Sequence, residues 1–219
     1  MKYVISYGSR SSRLPADVTA EVVTSECRAA ALAFMAGAAG GWGKEHLARW
    51  LIGPYANAVR HARHGERVTI PMGQGPVSAE TITTLLRCVR TELLHELVEI
   101  VHGSTFAPAL TQDAIELGVV RALRDESDAE VWVPVDAGRM RLAQRVRSLF
   151  AADCLNQPDA WETLFVCGRC STVAFDAAGR RAGLCASHRR SSGVVTRTPQ
   201  DEQDATSGSI DAARGGRRP

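Results

Sequence analysis

Four potential metal ligands near the carboxyl end constrain this chain more than any other feature of its sequence. Cys167 and Cys170 form a Cys-x-x-Cys pair, and Cys185 and His188 form a second pair further along the chain. Two such pairs, separated by enough residues for a small hairpin, bring four soft ligands to one tetrahedral Zn²⁺. The spacing therefore predicts a zinc site built by these four side chains.

A site with three cysteines and one histidine fills all four positions around the metal. A catalytic zinc keeps one position open for water or substrate, so this ligand set predicts a structural ion. Three thiolates and one neutral imidazole leave the centre with a net charge of about −1. Arginines surround the ligands in the sequence and can offset that charge: Arg169, Arg180, Arg181, Arg189 and Arg190.

Cys167, Cys170, Cys185 and His188 resemble the ligand set of the zinc-ribbon and treble-clef class of small metal modules. The resemblance covers residues 161–190 and implies a structural Zn²⁺, with functions in the class ranging from transcription to protein adaptors. Between the two ligand pairs, the sequence predicts a β-hairpin with one strand at 172–175, a turn at 176–179 and a return strand at 181–184.

The rest of the chain predicts a mainly α (α+β) fold. With 45% hydrophobic and 23% charged residues, the composition is that of a globular domain. Aromatic residues make up only 5% of the chain, which predicts an aliphatic core. We expect a mainly helical domain over 1–160, the zinc-binding β-hairpin module over 161–190 and a disordered tail over 191–219, where large apolar residues nearly vanish.

Hydrophobic periodicity places the elements of the helical domain. It predicts helices over 17–35, 44–64, 78–102, 111–123 and 136–155, and short strands over 3–5, 67–70 and 131–133. The second helix is expected to kink at Gly53-Pro54. The third is the most regular, with Ser78 as its cap.

Cysteine usage and hydropathy bear on the cellular compartment. Six cysteines without a recognisable export signal favour thiols and metal ligands over disulfides. Cys27, Cys88 and Cys154 fall on helical patterns and are predicted to be small buried side chains. The most apolar segment, 29–39, is too short to cross a bilayer. These features predict a soluble, cytoplasmic protein with no membrane contact.

The arginines leave two interpretations open. The net charge of +2 excludes a global positive field that would by itself require a nucleic acid. Locally, an arginine-rich helix beside a zinc module is a combination that can follow phosphates. The arginines can equally pair with the acidic segment 125–130, which favours a solvated structural face. The candidate nucleic-acid or partner contacts are Arg139, Arg141, Arg145, Arg147, Arg169, Arg189 and Arg190.

A second metal is the other alternative. The outer face of the 78–102 helix carries the pairs Glu92/His95 and Glu99/His102, with the spacing that ferritin-like di-iron proteins use. That site takes its pairs from different helices, so a salt-bridged solvated face that also includes Arg87 and Arg90 is the favoured interpretation.

The sequence thus favours a function without catalysis. The leading hypothesis is a bacterial-type regulatory or adaptor protein in which zinc rigidifies the C-terminal module and the helical body binds another macromolecule, a protein or a nucleic acid. The alternative is a nucleic-acid-binding transcription regulator that uses the arginine-rich helix and the zinc module. A second alternative is a metalloenzyme with a site at Glu92, His95, Glu99 and His102.

Overall fold

The fold is mainly helical with small antiparallel sheets, which confirms the predicted mainly α (α+β) class. The computed structural model describes residues 2–6, 13–62, 67–71, 78–103, 108–136 and 140–192; in 2–6, 67–71 and 108–109 it describes the backbone alone. The predicted tail lies outside the described residues from position 193 onward.

The helices follow the predicted order. They are α1 (Ala20–Ala39), α2 (Lys44–Trp50), α3 (Ala56–Val59), α4 (Ala79–His102), α5 (Pro108–Glu116), α6 (Leu142–Asn156), α7 (Ala177–Ala182) and α8 (Ala186–Ser191). A π-helical turn, Leu51–Tyr55, joins α2 to α3, and short 3-10 helices lie at Arg60–Ala62 and Pro158–Thr163. The turn contains Pro54, which has no N–H to donate, so the predicted irregularity at this point is confirmed.

The strands form three separate antiparallel pairs. They are β1 (Lys2–Ser6) with β2 (Arg67–Pro71), β3 (Val120–Arg124) with β4 (Glu130–Pro134), and β5 (Leu164–Val166) with β6 (Val173–Phe175). The register joins Lys2 to Pro71 in the first pair and Leu164 to Phe175 in the last. The predicted strands at 3–5, 67–70 and 131–133 are confirmed.

The helix predicted over 111–123 is wrong in its second half. Helix α5 ends at Glu116, and Gly118 follows with a φ of 64°. The N–H of Val119 donates to the carbonyl of Ala114 and that of Gly118 to Ile115, which is a Schellman end. The chain then enters β3. The apolar spacing around Val120 suits a helix as well as a strand, and the glycine decides between them.

The core lies between α1 and α6, with α4, the β3–β4 hairpin and the C-terminal module packed around them. Its largest fully buried side chains include Trp50, Tyr55, Phe34, Phe150 and Phe165. The prediction of an aliphatic core is confirmed, since most buried hydrophobic residues are Ala, Val and Leu, and a few large aromatic side chains pack among them. Trp50 also donates its indole N–H to the carbonyl of Ala30 at 2.8 Å, which ties α2 to α1.

Helix α1 is longer than the apolar segment predicted from the sequence. With 20 residues it is long and apolar enough to cross a membrane, and half of its apolar window is buried inside the fold. Val23, Cys27 and Phe34 on this helix have no exposed surface. Because α1 packs against α6, its apolar composition is that of a core helix. The cytoplasmic location stays a prediction.

Gly37 in α1 provides a test of this packing. A Cβ atom at this position would lie 1.8 Å from Cε2 of Trp42. We expect Gly37→Ala to lower the free energy of unfolding by about 1–3 kcal/mol because the indole must move. Gly53→Ala is the matched control, since nothing lies within 4 Å of its Cβ position. Equal urea midpoints for the two variants would contradict the expected effect.

Candidate metal centre

The four predicted ligands lie on two structural elements of the C-terminal module, residues 161–190. Cys167 and Cys170 occupy the tight turn between β5 and β6, where the N–H of Cys167 donates to the carbonyl of Thr172 at 2.9 Å. Cys185 precedes α8 as its N-cap residue, and His188 lies within that helix. A hairpin turn and a helix start thus face each other.

The predicted β-hairpin is present, but at a different position. The strand at 172–175 pairs backward with β5, and the predicted return strand at 181–184 is the end of α7 and the turn after it. Asp176, predicted in a turn, caps α7 by accepting from the N–H of Ala178 at 3.0 Å. Gly183 ends the same helix with a φ of 62°. The caps at Asp176 and Gly183 therefore favour a helix over a strand in this segment.

The geometry of the cluster suits a metal ion. The ligand atoms of Cys167, Cys170, Cys185 and His188 all lie within 4.8 Å of one another. Sγ of Cys170 is 3.8 Å from Sγ of Cys185, and Nδ1 of His188 is 3.3 Å from Sγ of both Cys167 and Cys185. A disulfide needs about 2.05 Å, whereas Zn–S bonds of about 2.3 Å place two sulfurs of a tetrahedron about 3.8 Å apart. The group is positioned to bind a metal.

Hydrogen bonds prepare Cys167 for that role. Burial works to raise the pKa of this thiol, but backbone N–H groups of Cys185, Arg169 and Cys170, together with His188, outweigh it and lower the pKa to about 5. The thiolate is the form that ligates a metal. Cys167 is therefore the ligand that the fold supports most strongly.

The remaining cysteines differ from the ligands in their surroundings. Burial, reinforced by the Asp153 carboxylate, raises the pKa of Cys154 to about 12 and that of Cys27 well above its ordinary value. Both are buried, as predicted, whereas Cys88 is exposed and its prediction is wrong. Cys88 lies on the outer face of α4, since Leu86 and Val89 on either side point inward.

Thiol reactivity should separate these classes. In the metal-loaded protein we expect a disulfide reagent to modify one thiol rapidly, that of exposed Cys88. After a chelator removes the metal, the three ligand thiols should react as well. After denaturant is added, the two buried thiols should also react, so that all six cysteines are modified. Release of the metal, followed with a chromogenic chelator, should coincide with the second step. Four fast thiols without any chelator in a metal-loaded sample would contradict the ligand assignment.

Arginine side chains attach the C-terminal module to the helical body. Arg90 of α4 donates from Nη2 to the carbonyl of Ser171, beside the Cys167 turn, and from Nε to that of Met35. Arg180 of α7 donates to the carbonyls of Leu164 and Val101. These contacts join the module to both α1 and α4.

Arg28 of α1 makes the third attachment. Its guanidinium lies 4.1 Å from the ring centroid of Phe175 and donates to Asp153 at 2.7 and 3.0 Å. The sequence analysis places Arg90 on a solvated face and Arg180 beside the metal ligands, and it does not single out Arg28. Which carbonyls an arginine reaches depends on contacts between distant parts of the chain, and no local pattern marks them. The division into two domains at residue 160 stays a prediction.

Arg90 offers a test of this attachment. Lysine carries a single compact ammonium group and cannot span the two carbonyls that the guanidinium joins. We expect Arg90→Lys to lower the free energy of unfolding by about 1–3 kcal/mol and to speed metal loss to a chelator. Arg87→Lys, one turn earlier and exposed, is the matched control. If the two variants lose their metal to the chelator at the same rate, Arg90 does not attach the module to the helical body.

The predicted partner arginines divide into exposed and internal ones. Arg139 lies outside the described residues, and Arg141 is exposed just before α6. Arg145 is buried against Asp136, and Arg147 bonds Glu92 at 2.6 Å and also Glu96. In the C-terminal module Arg169 and Arg190 are exposed, whereas Arg189 pairs with Asp176 at 2.8 Å.

The Glu and His face of α4 makes polar side-chain contacts. Glu92 contacts Arg147, and Nε2 of His95 lies 3.3 Å from Oε1 of Glu99, with 77% and 68% of those two side chains exposed. His102 is exposed in the last turn. Within the described part of the chain, the only cluster of at least three side chains able to hold a metal is that of the three cysteines and His188.

Comparison with models of protein families, with curated proteins and with solved structures finds no match for this chain.

Proposed function

We propose that this chain is a zinc-stabilised regulatory or adaptor protein that acts by binding another macromolecule and not by catalysis. The observation that supports it is the convergence of four ligand atoms within 4.8 Å of one another at Cys167, Cys170, Cys185 and His188. Four protein ligands fill a tetrahedral zinc and leave no position for a substrate. Three sulfurs and one imidazole also favour Zn²⁺ over Mg²⁺ or Ca²⁺, which take oxygen ligands.

The order of elements supports a treble-clef type of module. The first ligand pair lies in a hairpin turn and the second lies at the start of a helix, with Cys185 as its N-cap. In this arrangement zinc joins the hairpin to a helix that has no buried residue of its own. Its role is to hold the last helix of the described chain against the hairpin and, through Arg90 and Arg180, against α4.

Elemental analysis tests the proposal. Protein purified without added metal should contain one zinc per chain, and exchange for cobalt should give the visible spectrum of a tetrahedral thiolate site. Absence of zinc, or an octahedral cobalt spectrum, would contradict the assignment.

The metalloenzyme alternative at Glu92, His95, Glu99 and His102 requires a second metal that persists when Cys167 is replaced.

A second candidate function, regulation through nucleic acid, has its own support. Arg169 in the ligand turn and Arg190 in α8 are both exposed on the metal module. Exposed arginines on a small rigid scaffold are suited to phosphate contact, because phosphates supply most of the affinity in such complexes. Binding of a labelled nucleic acid that weakens steeply with salt is the expected result.

A further inference from the structure

The C-terminal module carries an excess of basic over acidic residues. Residues 161–190 contain five arginines and two acidic residues, Glu162 and Asp176. The chain as a whole is nearly balanced, with 26 basic and 24 acidic residues. The excess of positive charge in the module is therefore local, and its use depends on which arginines are available at the surface.

Two of the five arginines are used inside the fold. Arg180 donates to the carbonyls of Leu164 and Val101. Arg189 pairs with Asp176 at 2.8 Å and donates to the carbonyl of Leu184, and only 15% of its side chain is exposed. These two arginines hold the module together and attach it to α4.

The other three are available. The side chains of Arg169, Arg181 and Arg190 are exposed, and none of these side chains bonds or pairs with another residue in the described ranges. An arginine without an acidic neighbour keeps its full charge and its five donors for an external anion. We call these three side chains the arginine triad.

Contacts within the module join the three segments that carry the triad. The N–H of Gly168, next to Arg169, donates to the carbonyl of Gly183 at 3.0 Å, two residues after Arg181. Arg190 lies two residues after His188. The Nδ1 atom of His188 is 3.3 Å from Sγ of Cys167, which lies in the turn that carries Arg169. A metal at the four ligands would connect the same segments, so the spacing of the triad depends on the metal centre.

The arginines of α6 do not share this availability. Arg145 is 4% exposed and bonded to Asp136, and Arg147 lies between Glu92 and Glu96. A phosphate that contacted either of them would first have to displace a carboxylate. The structure therefore separates Arg145 and Arg147 from the exposed arginines with which the sequence combined them.

We propose that the arginine triad, Arg169, Arg181 and Arg190, is a contact surface for the phosphate backbone of a nucleic acid. This rests on the second candidate function and on the zinc site that organises the module. The guanidinium fork matches a phosphate with two parallel hydrogen bonds, and arginine is the residue favoured where such anions are bound. No base contact is part of the proposal, so binding is expected to depend weakly on sequence and strongly on salt.

Fluorescence anisotropy with the full zinc-loaded chain tests the proposal. The probes are a labelled 25-base-pair DNA duplex of mixed sequence and a labelled 25-nucleotide single-stranded RNA, titrated at several salt concentrations. Three phosphate contacts on a duplex predict a slope of log K against log salt of about −2.7, which is a loss of about 40-fold between 50 and 200 mM. A single strand predicts a slope of about −2.1. The probe with the tighter binding identifies the class of nucleic acid.

Variants locate the surface. Arg169→Ser/Arg181→Ser/Arg190→Ser should remove most of the salt dependence and weaken binding at 50 mM at least tenfold. The control Lys44→Ser/Arg49→Ser/Arg124→Ser removes the same charge from exposed positions of the helical body and should change affinity less than twofold. One zinc per chain in each variant shows that the centre is intact, which separates failure of the triad from failure of the zinc assignment.

Three results would overturn the proposal. They are binding of neither probe by the zinc-loaded wild type, equal losses in the two triple variants, and equally tight, triad-dependent binding of a glutamate-rich peptide of the same charge. The last would identify the partner as an acidic protein surface. In each case a measured zinc content of one per chain would leave the metal assignment standing.

Discussion

Cys167→Ser is expected to abolish metal binding and to unfold the C-terminal module. Cys167 is the most buried of the four ligands, and three backbone N–H groups support its thiolate. A serine hydroxyl is a poor zinc ligand, so the centre would keep three ligands around an ion that needs four. The turn that carries Cys170 and the helix start at Cys185 would then lose the metal that joins them.

The size of this effect is set by the lost metal. Structural zinc contributes about 10–16 kcal/mol of apparent binding free energy in small zinc domains, and metal loss is among the few single changes that cost more than about 4 kcal/mol. We expect the module to lose protection from hydrogen exchange while α1 and α6, which pack through apolar side chains, keep much of theirs. Elemental mass spectrometry measures the metal content, thermal melts measure the loss of stability, and hydrogen exchange measures the protection of each segment.

Cys88→Ser is the matched control for that experiment. It replaces the same atom at an exposed position on α4. We expect one zinc per chain and an almost unchanged Tm, since exposed substitutions usually stay within about 0.5 kcal/mol. If Cys167→Ser keeps its zinc and melts together with Cys88→Ser, the four residues do not form the metal centre.

Arg145→Met is expected to have the second largest effect. Asp136 has no exposed surface, and it is bonded both by the buried Arg145 guanidinium and by the hydroxyl of Tyr55 at 3.2 Å. Removing Arg145 takes a bonded cation away from a buried carboxylate in a medium that solvates charge poorly. Such changes cost about 3–5 kcal/mol. The guanidinium also lies 5.4 Å from the centroid of Tyr55, so its loss affects the π-helical turn that carries this residue.

A double variant separates the lost charge from the lost packing. Arg145→Met/Asp136→Asn removes both charges while an amide oxygen stays near Tyr55, and it should recover part of the stability lost in the single variant. Arg13→Met changes a surface pair with Asp128, in which 66% of each side chain is exposed, and should cost less than about 1 kcal/mol. Urea midpoints of these variants give the comparison. A single variant as stable as Arg13→Met would show that Asp136 finds other compensation.

Several elements follow from local patterns alone. Helix α4 was predicted within one residue, because Ser78 caps it and its apolar side chains recur at helical spacing over six turns. The strands β1, β2 and β4 carry short runs of β-branched residues, which favour strands. The cysteine and histidine spacing named all four members of the metal group, because ligands on neighbouring turns must recur at short intervals.

Errors occurred where two structures share one local pattern. Residues 120–124 have apolar positions that suit a helix or a strand, and the left-handed Gly118 determines the strand. Residues 181–184 were predicted as a strand, but the Asp176 cap begins a helix at Ala177 instead. Cys88 is predicted to be buried because it falls within a helical pattern, yet its place on α4 turns it outward.

The sequence by itself determined the mainly helical class, the longest helix and the metal-ligand set, since each depends on residues close together in the chain. Only the tertiary structure decided the roles of the arginines. Arg145 is buried at Asp136, Arg90 joins the body to the Ser171 carbonyl, and Arg169 stays exposed. A flexible charged side chain takes its partner from whatever packing brings within reach, and that packing joins residues far apart in sequence, which no local pattern encodes.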